Sequence, residues 1–482
     1  MTNIYAFNTH YEIHNYTLGT IPRLEYELTY TDRNSHVIEP RYYYDKDKKI
    51  LYIPRGYNSL KLTEWFNKQI TYVPFREKIF PIHFNMNVEP RNEDQAKAIR
   101  FLIGECEYAK YRRDSQKILI MPTGTGKTFC AISAIQKLGL RTLIIMKTSE
   151  LKKQWLERIS QYTDLGGPNT VDIINSKMLY NYLDNPPNDN QLIFIVTRRL
   201  LLSFCNRYGP DALYKVINKM GIGLKIFDEA HQEHETTLFI DYFTNVKFTF
   251  YLTATFQLSE DGKDRVFQTV YKDVKKLHIW PLDSDRHIIY VAVLYNSKPT
   301  LAEEGASITR TKKFNMFYYI DYQIRKGELV RCFKKVIDYF LNQKQLKGRS
   351  LILSPKKSTC DLFAKLASEV TEERFSSCSH HSDNRVQNFK EYDIISATQG
   401  MLGTGEDIGG LRFLFDTCPR ASLPNTDQYS GRLRPYFEDG EQKTTFYVEF
   451  VDIGFETIYK WYKKRRSLLS RRVLKSYTLE WY

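Results

Sequence analysis

The sequence predicts an α/β protein in which a small α/β domain precedes two parallel-sheet domains. The first observation is an alternation of short apolar runs with helical patterns from about residue 88 to 270. Such strand–helix–strand repetition builds a parallel sheet covered by helices. The alternation restarts at about residue 286, and 482 residues are too many for one hydrophobic core. We therefore predict domains at 1–85, 86–280 and 281–482.

The N-terminal domain is predicted from aromatic runs that alternate with polar ones. Pro40–Gly56 reads PRYYYDKDKKILYIPRG. Two strand-like runs flank the polar segment Asp45–Lys48, and this pattern predicts a hairpin. A small accessory domain is the expected result.

The strands of the two larger domains are predicted from short apolar runs, which are typical of strands covered on both faces. In the first domain they are residues 117–121, 142–146, 192–196, 224–227 and 248–252. In the second domain they are residues 350–354, 392–396, 412–415 and 445–449.

A glycine-rich turn follows the first of these strands. Met121–Thr128 reads MPTGTGKT. Gly124 and Gly126 let the backbone turn tightly, so that successive N–H groups point at phosphate oxygens. A helix that begins at Lys127 adds the positive end of its dipole. Lys127 can reach the β- and γ-phosphates and the Thr128 hydroxyl can hold Mg²⁺, so the segment predicts a nucleoside triphosphate site.

An acidic turn follows the fourth strand. Asp228–His231 reads DEAH, directly after the apolar run LKIF. Asp228 stands where its carboxylate can bind the same Mg²⁺, directly or through water, and Glu229 is placed to orient and deprotonate the attacking water. Either string alone also fits an ordinary turn. Together, each after a strand and in this order, they predict one hydrolytic site.

Charge and cysteine usage restrict the partners and the compartment. The formal net charge of +14 favours a polyanionic partner. The seven cysteines are scattered without a CxxC pair, and no basic start is followed by an apolar run. We therefore expect a cytoplasmic protein that is not secreted. Apolar runs stay short of the ~18 residues of a membrane span, so no membrane partner is expected.

The C-terminal segment Tyr459–Tyr482 is strongly basic. It contains eight Lys or Arg and one Glu, and the net charge of these residues is half of the formal net charge of the chain. One interpretation is a salt-sensitive contact with nucleic acid. The other is a solvated last helix, and the two are compatible. In the second interpretation the residues that face inward are Ile458, Tyr462, Leu469 and Val473.

A cluster of potential metal ligands lies in the second domain. The stretch FSSCSHHSDN contains Cys378, His380, His381 and Asp383, and each of these side chains can bind Zn²⁺. A second pair at zinc-finger spacing is missing from the sequence, so we expect these residues to belong to an ordinary loop.

Further motifs occur in a fixed order. PRNEDQAKAI contains Gln95, KTSELKKQW spans Lys147–Trp155 and LTAT spans Leu252–Thr255. GTGEDI, Gly403–Ile408, and QYSGRLR, Gln428–Arg434, follow in the second domain. With the two nucleotide motifs, this set makes residues of about 88–455 resemble superfamily 2 helicases of the DEAH-lettered kind. The resemblance implies two RecA-like parallel-sheet domains in tandem that bind ATP and Mg²⁺.

The resemblance implies roles for residues of the first domain. Gln95 would read adenine, while the turn residues would hold the phosphates (Thr123, Gly124, Thr125, Gly126, Lys127 and Thr128). Lys127, Asp228 and Glu229 would be catalytic, with Mg²⁺ held by Thr128 and Asp228. His231, Thr253 and Thr255 would couple the hydrolysis state of the bound phosphate to the binding of the nucleic-acid strand. Thr148 and Thr197 would touch the nucleic-acid backbone, although ordinary strand-end turn residues are an equally open interpretation.

The resemblance also implies roles in the second domain. Arg432 would be an arginine finger, which contributes about 10³–10⁵ in rate. Gly405, Asp407 and Arg434 would contact ATP, Gln428 would take part in coupling, and Thr404 would touch nucleic acid. Arg434 follows Arg432 by two residues where the family pattern has three, so its phosphate contact is left open.

Within the superfamily, the chain is most similar to the XPB- and UvsW-like branch of viral or phage type. This implies a monomeric ATP-dependent DNA helicase or translocase that remodels forked, branched or single-stranded DNA and works with replication or recombination proteins. The accessory domain would contact duplex or branched DNA. The alternatives are an RNA-directed or transcript-release ATPase, and a nucleic-acid binding module with an inactive ATPase. Intact Lys127, Glu229 and Arg432 argue against the inactive form.

Overall fold

The computed structural model describes residues 2–32, 37–258, 261–280, 286–309, 314–402, 408–418, 420, 426, 429–470 and 472–481. The chain forms two compact units, Met1–Ile279 and Trp280–Tyr482. In the described part of the chain, no helix has the length and apolar character that crossing a bilayer requires.

The first unit begins with a small mixed sheet. Its strands run in the order β5-β6-β2-β1-β7, and β3 pairs with β4 separately. The predicted hairpin is confirmed, because β5 and β6 pair antiparallel with Tyr43 opposite Tyr52. The elements are β1 Asn3–Ala6, β2 His10–His14, α1 Pro22–Glu27, β3 Thr29–Asp32, β4 Val37–Pro40, β5 Tyr43–Asp45, β6 Ile50–Pro54, α2 Ser59–Phe66 and β7 Ile70–Tyr72.

The rest of the first unit is a seven-stranded parallel sheet with helices. The strand order is β10-β11-β9-β12-β13-β8-β14. The strands are β8 Gln116–Ile120, β9 Thr142–Met146, β10 Thr170–Asp172, β11 Ile193–Thr197, β12 Leu224–Phe227, β13 Phe248–Thr253 and β14 Lys275–His278. The α-helices are α3 Glu93–Ile103, α4 Lys127–Leu138, α5 Ser149–Tyr162, α6 Ser176–Asn181, α7 Arg198–Tyr208, α8 Pro210–Lys219, α9 His234–Tyr242 and α10 Asp261–Val270, and Cys106–Tyr111 and Gly167–Asn169 are 3₁₀ turns.

All five strands predicted for this sheet are present, with ends within one or two residues of the prediction. The two edge strands β10 and β14 were not predicted. Their sequences are TVD and KKLH, and edge strands need no continuous apolar run because one side and part of each face meet solvent.

The second unit contains another seven-stranded parallel sheet, in the order β17-β18-β16-β19-β22-β15-β23, and a hairpin of β20 and β21. The strands are β15 Ile288–Tyr295, β16 Arg349–Ser354, β17 Ser377–His380, β18 Ile394–Thr398, β19 Leu411–Asp416, β20 Tyr436–Glu438, β21 Glu441–Lys443, β22 Thr445–Asp452 and β23 Val473–Trp481. The helices are α11 Leu301–Ala306, α12 Met316–Lys326, α13 Glu328–Ile337, α14 Lys357–Val370, α15 Gln399–Leu402 and α16 Glu456–Leu469, with a π turn at Asp338–Gln343 and a 3₁₀ turn at Phe389–Glu391. The predicted α/β class, with two RecA-like parallel sheets in tandem after a small N-terminal domain, is confirmed.

The basic C-terminal segment is more than a final helix. Helix α16 is followed by the nine-residue strand β23, which pairs parallel with β15 at the edge of the sheet. The four residues predicted to face inward, Ile458, Tyr462, Leu469 and Val473, are all buried. Two basic residues, Arg465 and Arg472, are also buried, so they contribute to the core instead of to a nucleic-acid surface. Among the described residues of the segment, the exposed cations are Lys460, Lys463, Lys464, Arg466 and Lys475.

The small N-terminal sheet shares its apolar core with one face of the first parallel sheet. Tyr11 and Leu51 belong to the same buried cluster as Tyr251 and Val270. At Gly56 the two regions approach so closely that a Cβ atom would lie 2.7 Å from the Val270 carbonyl oxygen. The accessory region is therefore packed closely against this part of the first unit, while the three domain boundaries remain a prediction.

Candidate active site

The predicted site residues of the first unit follow strands of one parallel sheet. Because parallel strands end at the same edge, the segments after β8, β9, β11, β12 and β13 all emerge there. The strands that precede the glycine-rich turn and the acidic turn, β8 and β12, are separated only by β13. The carboxyl edge of the first sheet thus gathers the candidate residues.

The glycine-rich turn connects β8 to α4. Gly124 and Gly126 have φ angles of 91° and 104°, in the left-handed region that favours glycine. A Cβ atom on Gly126 would lie 2.2 Å from Gln95 Nε2, so a larger residue would clash there. Gly126 precedes the helix and has no side chain with which to cap it, so first-turn N–H groups of α4 are open to an anion.

Gln95 lies on α3 and holds this turn. Its Nε2 donates to the Thr125 carbonyl oxygen at 2.9 Å and its Oε1 accepts from the Arg91 backbone N–H at 2.8 Å. The side chain is 5% exposed. A carboxamide has two N–H groups and two acceptor lone pairs, so both ends retain capacity for an adenine edge. The adenine contact remains a prediction.

Lys127 and the threonines line the turn. Lys127 is 8% exposed, and its Nζ donates to the Met121 carbonyl oxygen at 2.9 Å. The Thr125 hydroxyl donates to the Pro122 carbonyl oxygen, and Thr128 is half-buried. Among the residues that the structure describes, the buried Thr123 Oγ1 has no hydrogen-bond partner. Such an atom in a turn of this shape is a ready contact for a phosphate oxygen.

Asp228 is the first residue after β12 and is almost completely buried. Its Oδ2 accepts from the Trp155 indole N–H at 2.8 Å, and its Oδ1 accepts from the Glu229 backbone N–H at 3.0 Å. Burial raises the pKa of Asp228 and the Glu229 carboxylate acts in the same direction, whereas the Trp155 hydrogen bond and Lys127 oppose the rise. A divalent cation would offset this crowding of negative charge. The oxygen donors of Asp228 and Thr128 fit Mg²⁺.

Arg198 holds the backbone of the acidic turn. Its guanidinium donates to the carbonyl oxygens of Asp228, Glu229 and Gln232, and the side chain is 0% exposed. Glu229 has a φ of 47°, which is a disfavoured conformation for a residue with a side chain. Neither Arg198 nor Trp155 was predicted as a site residue, because each reaches the turn from a separate segment.

Three of the four candidate coupling residues, those of the first unit, are linked by contacts through Thr253. His231 Nδ1 lies 2.7 Å from Thr253 Oγ1, and the Thr253 hydroxyl donates to the Thr255 carbonyl oxygen. His231 Nδ1 is also 3.4 Å from Glu229 Oε2. Burial lowers the pKa of His231 to about 3, and Arg198 and Lys127 act in the same direction. The neutral imidazole therefore bridges the acidic turn and the end of β13.

Two of the three threonines predicted to touch nucleic acid, Thr148 and Thr197, cap helices. Thr148 follows β9 and accepts from the Leu151 N–H, and Thr197 ends β11 and accepts from the Leu200 N–H. Both hydroxyls thus have a structural role, as the alternative interpretation expects. Their contact with nucleic acid remains a prediction.

The remaining predicted residues belong to the second unit. Arg432 is 8% exposed and Arg434 is half-buried. Arg472, from the basic C-terminal segment, donates to the Ser430 hydroxyl at 2.7 Å, close in sequence to Arg432. Four predicted residues lie outside the described residues: Thr404, Gly405, Asp407 and Gln428.

The histidine-rich stretch has ordinary structural contacts. His381 Nε2 lies 3.0 Å from Asp361 Oδ1, His380 stacks on Phe389 with ring centroids 4.1 Å apart, and Asp383 pairs with Lys357. Within the described ranges, no cluster of three or more His, Cys, Asp or Glu side chains is arranged for a metal ion.

Comparison with known proteins gives one family match. Residues 88–258 match the family described as "Type III restriction enzyme, res subunit". This segment contains the glycine-rich turn, the acidic turn and the coupling residues of the carboxyl edge.

Two similar curated proteins carry the same description, "General transcription and DNA repair factor IIH helicase/translocase subunit XPB". The one from Enterocytozoon bieneusi is 29% identical over 120 residues, which are 24% of this chain and 19% of that protein. The one from Encephalitozoon cuniculi is 23% identical over 264 residues, which are 50% of this chain and 38% of that protein. The chain therefore matches well under two thirds of either relative.

A solved structure supports the fold. Mss116p bound to single-stranded RNA and AMP-PNP superposes with a TM-score of 0.50 at 14% identity, over 81% of this chain and 78% of that one. At this level of identity the likeness concerns the fold alone.

Proposed function

We propose that this chain, which belongs to helicase superfamily 2, is a nucleic-acid-dependent ATPase that uses ATP and Mg²⁺ to move along DNA. One observation carries the proposal. The glycine-rich turn, the acidic turn and the Thr253 segment lie at one edge of the first sheet, and His231, after β12, contacts Thr253 at the end of the adjacent strand β13 at 2.7 Å. A change of the acidic turn that depends on the bound phosphate would therefore be transmitted through His231 to the end of β13.

The side chains of the first unit supply the chemistry of hydrolysis. Lys127 would exchange the Met121 carbonyl for phosphate oxygens, while Thr128 and Asp228 would hold Mg²⁺. Bound Mg²⁺ would neutralise charge that develops on the phosphate oxygens. Glu229 would orient the attacking water and accept its proton.

Arg432 of the second unit is proposed as the arginine finger. Its guanidinium would stabilise the charge of the transferred phosphoryl group, with a contribution of about 10³–10⁵ in rate. The hydrogen bond from Arg472 joins the C-terminal segment to the Ser430 hydroxyl, two residues before Arg432. Gly405, Asp407, Arg434 and Gln428 complete the proposed ATP-contacting and coupling set.

The proposed substrate is forked or branched DNA. Support comes from the net charge of +14 and from the relatives' descriptions, which name DNA repair and translocase activity. Fork regression or branch migration in repair, recombination or replication follows from the XPB- and UvsW-like resemblance. The accessory domain would contact the duplex, and Thr148, Thr197 and Thr404 the strand. We further propose a monomer of phage or viral type that acts in the host cytoplasm.

Nucleic-acid-stimulated ATP hydrolysis tests the proposal. The rate is measured with forked DNA, single-stranded DNA and RNA, and we expect forked DNA to stimulate most. Glu229→Gln should abolish hydrolysis while ATP binding persists, because the amide cannot accept the water proton. Undiminished hydrolysis by Glu229→Gln would remove the proposed base, and stimulation by RNA alone would replace DNA with RNA as the substrate.

A further inference from the structure

We propose that Arg198 is a positioning residue for hydrolysis, which sets the backbone of the acidic turn and thereby the direction of the Glu229 carboxylate. The inference rests on the proposed function and assigns a role to a residue outside the family motifs. Arg198 touches neither phosphate nor water in this assignment. It acts through the carbonyl groups of the residues whose side chains carry the chemistry.

The first argument is the set of groups that Arg198 binds. In the described part of the chain, its hydrogen bonds all go to backbone carbonyl oxygens, those of Asp228, Glu229 and Gln232. Burying a guanidinium without a carboxylate partner is unfavourable. Burial accordingly lowers the pKa of Arg198, although nearby Glu233 and Asp228 oppose the change. The contacts are therefore specific to the path of this turn.

The second argument is the conformation that those contacts stabilise. Glu229 and Glu233, at the two ends of the turn, have φ angles of 47° and 51°. Left-handed backbone at residues with side chains persists only where neighbouring groups determine it. Arg198 binds the carbonyl oxygens of Asp228 and Gln232, which belong to the peptide groups that precede Glu229 and Glu233, so it is well placed to maintain both conformations.

The third argument is the location of Arg198 in the chain. It is the first residue of α7 and follows Thr197, the proposed nucleic-acid contact at the end of β11. Helix α7 also packs against α9, which begins directly after the acidic turn. A nucleic-acid strand that binds at Thr197 would therefore act on the acidic turn through the next residue, Arg198. We expect Arg198 to be needed for the stimulation of hydrolysis by nucleic acid.

A second buried arginine provides a matched control. Arg141 is 2% exposed, and it donates to the carbonyl oxygens of Met220 and Asn188. It precedes β9 and so lies at the amino edge of the same sheet, away from the candidate site. Arg141 is likewise a buried arginine that donates to backbone carbonyls, but it also lies over the Phe80 ring at 3.7 Å, and the carbonyls that it binds belong to residues without a proposed catalytic role.

The experiment compares Arg198→Lys with Arg141→Lys in the full chain. One ammonium cannot span the three carbonyls that the planar guanidinium reaches. Hydrogen exchange is measured first, without nucleotide or nucleic acid, on peptides that cover residues 226–236. We expect faster exchange there in Arg198→Lys and unchanged exchange there in Arg141→Lys, because amides such as Ala230 N–H, bonded to the Leu252 carbonyl, report the turn directly.

Kinetics are measured next on the same proteins. Arg198→Lys should lower nucleic-acid-stimulated kcat by about 10- to 100-fold, the scale of a small misplacement of a catalytic group. KM for ATP and Kd for DNA should change less than kcat, since the side chains that bind ATP and DNA are unchanged. Arg141→Lys should retain kcat even if its thermal midpoint falls as far as that of Arg198→Lys.

The outcomes separate this inference from the proposed function. Unchanged exchange at residues 226–236 in Arg198→Lys overturns the positioning role, whatever the activity. Faster exchange with an unaltered kcat overturns its importance for hydrolysis. A wild-type chain that does not hydrolyse ATP, or a fully active Glu229→Gln variant, refutes the proposed function, and the exchange result then still decides whether Arg198 holds the turn.

Discussion

The hydrogen bond between Trp155 and Asp228 gives a sharp test of the proposed Mg²⁺ site. The indole N–H donates to Asp228 Oδ2 at 2.8 Å, and the Trp155 side chain is 2% exposed. Trp155→Phe removes the donor and keeps an aromatic ring in the same place. The Asp228 oxygen would then remain buried without this partner, and the pKa of Asp228 would rise further, since the indole bond opposes the effect of burial.

The magnitude follows from the kind of bond. A hydrogen bond to a charged group contributes about 1.5–3 kcal/mol. Loss of a group that orients a metal ligand lowers metal affinity by about 10- to 100-fold, which agrees with that energy at about 1.4 kcal/mol for each factor of ten. We therefore expect the Mg²⁺-dependent part of nucleotide affinity to fall by 10- to 100-fold.

The assay measures binding of a fluorescent ATP analogue with Mg²⁺ and with EDTA. The ratio of the two affinities isolates the contribution of the metal from that of the glycine-rich turn. Ile159→Ala is the control, because Ile159 lies on the same helix α5, is 1% exposed and makes no side-chain hydrogen bond. It should lower the thermal midpoint and leave the ratio unchanged. A wild-type ratio in Trp155→Phe would refute the proposed role of the indole.

Two further predictions concern stability. Lys225 and Asp241 form a completely buried ion pair with a distance of 2.6 Å. Lys225→Met should therefore lower the free energy of unfolding in urea by about 3–5 kcal/mol, and adding Asp241→Leu should restore most of that loss. A Lys225→Met variant as stable as wild type would contradict this prediction. Burial lowers the pKa of His234 to about 3, and Arg41 Nε donates to its ring. The unfolded chain therefore binds a proton here below about pH 6.5 while the folded chain does not, so this contribution to stability is complete above that pH and is lost as the pH falls towards 3. His234→Gln should flatten the acid dependence of urea unfolding in that window, and an unchanged slope would count against a neutral buried imidazole.

The location of the candidate site was predictable because its main motifs are short runs of adjacent residues. MPTGTGKT fixes a turn that only glycine tolerates at φ near +100°, and DEAH supplies two carboxylates at a strand end. The apolar runs before them predicted the strands, since a strand buried on both faces must be apolar along its length. Local patterns therefore determined the fold class and the approximate position of the residues that we propose for hydrolysis.

Partners from distant segments were beyond such patterns. Arg198 reaches the turn at residues 228–232 from the far side of β9, and Trp155 reaches Asp228 from α5. The sequence around a buried arginine or tryptophan does not indicate which backbone carbonyl or carboxylate its side chain will contact, because the order of the strands in the sheet decides which segments lie next to each other. Strand β23 was missed for a related reason, since its mixed polar sequence becomes a strand only by pairing with β15.

The sequence alone thus determined an α/β chain with a glycine-rich turn and an acidic strand end, because each is a local arrangement of a few adjacent residues. Only the tertiary structure decided which side chains hold Asp228, Glu229 and His231 in place. Those contacts join residues that are tens of positions apart, and they arise from the order in which parallel strands pair, which no short stretch of sequence contains.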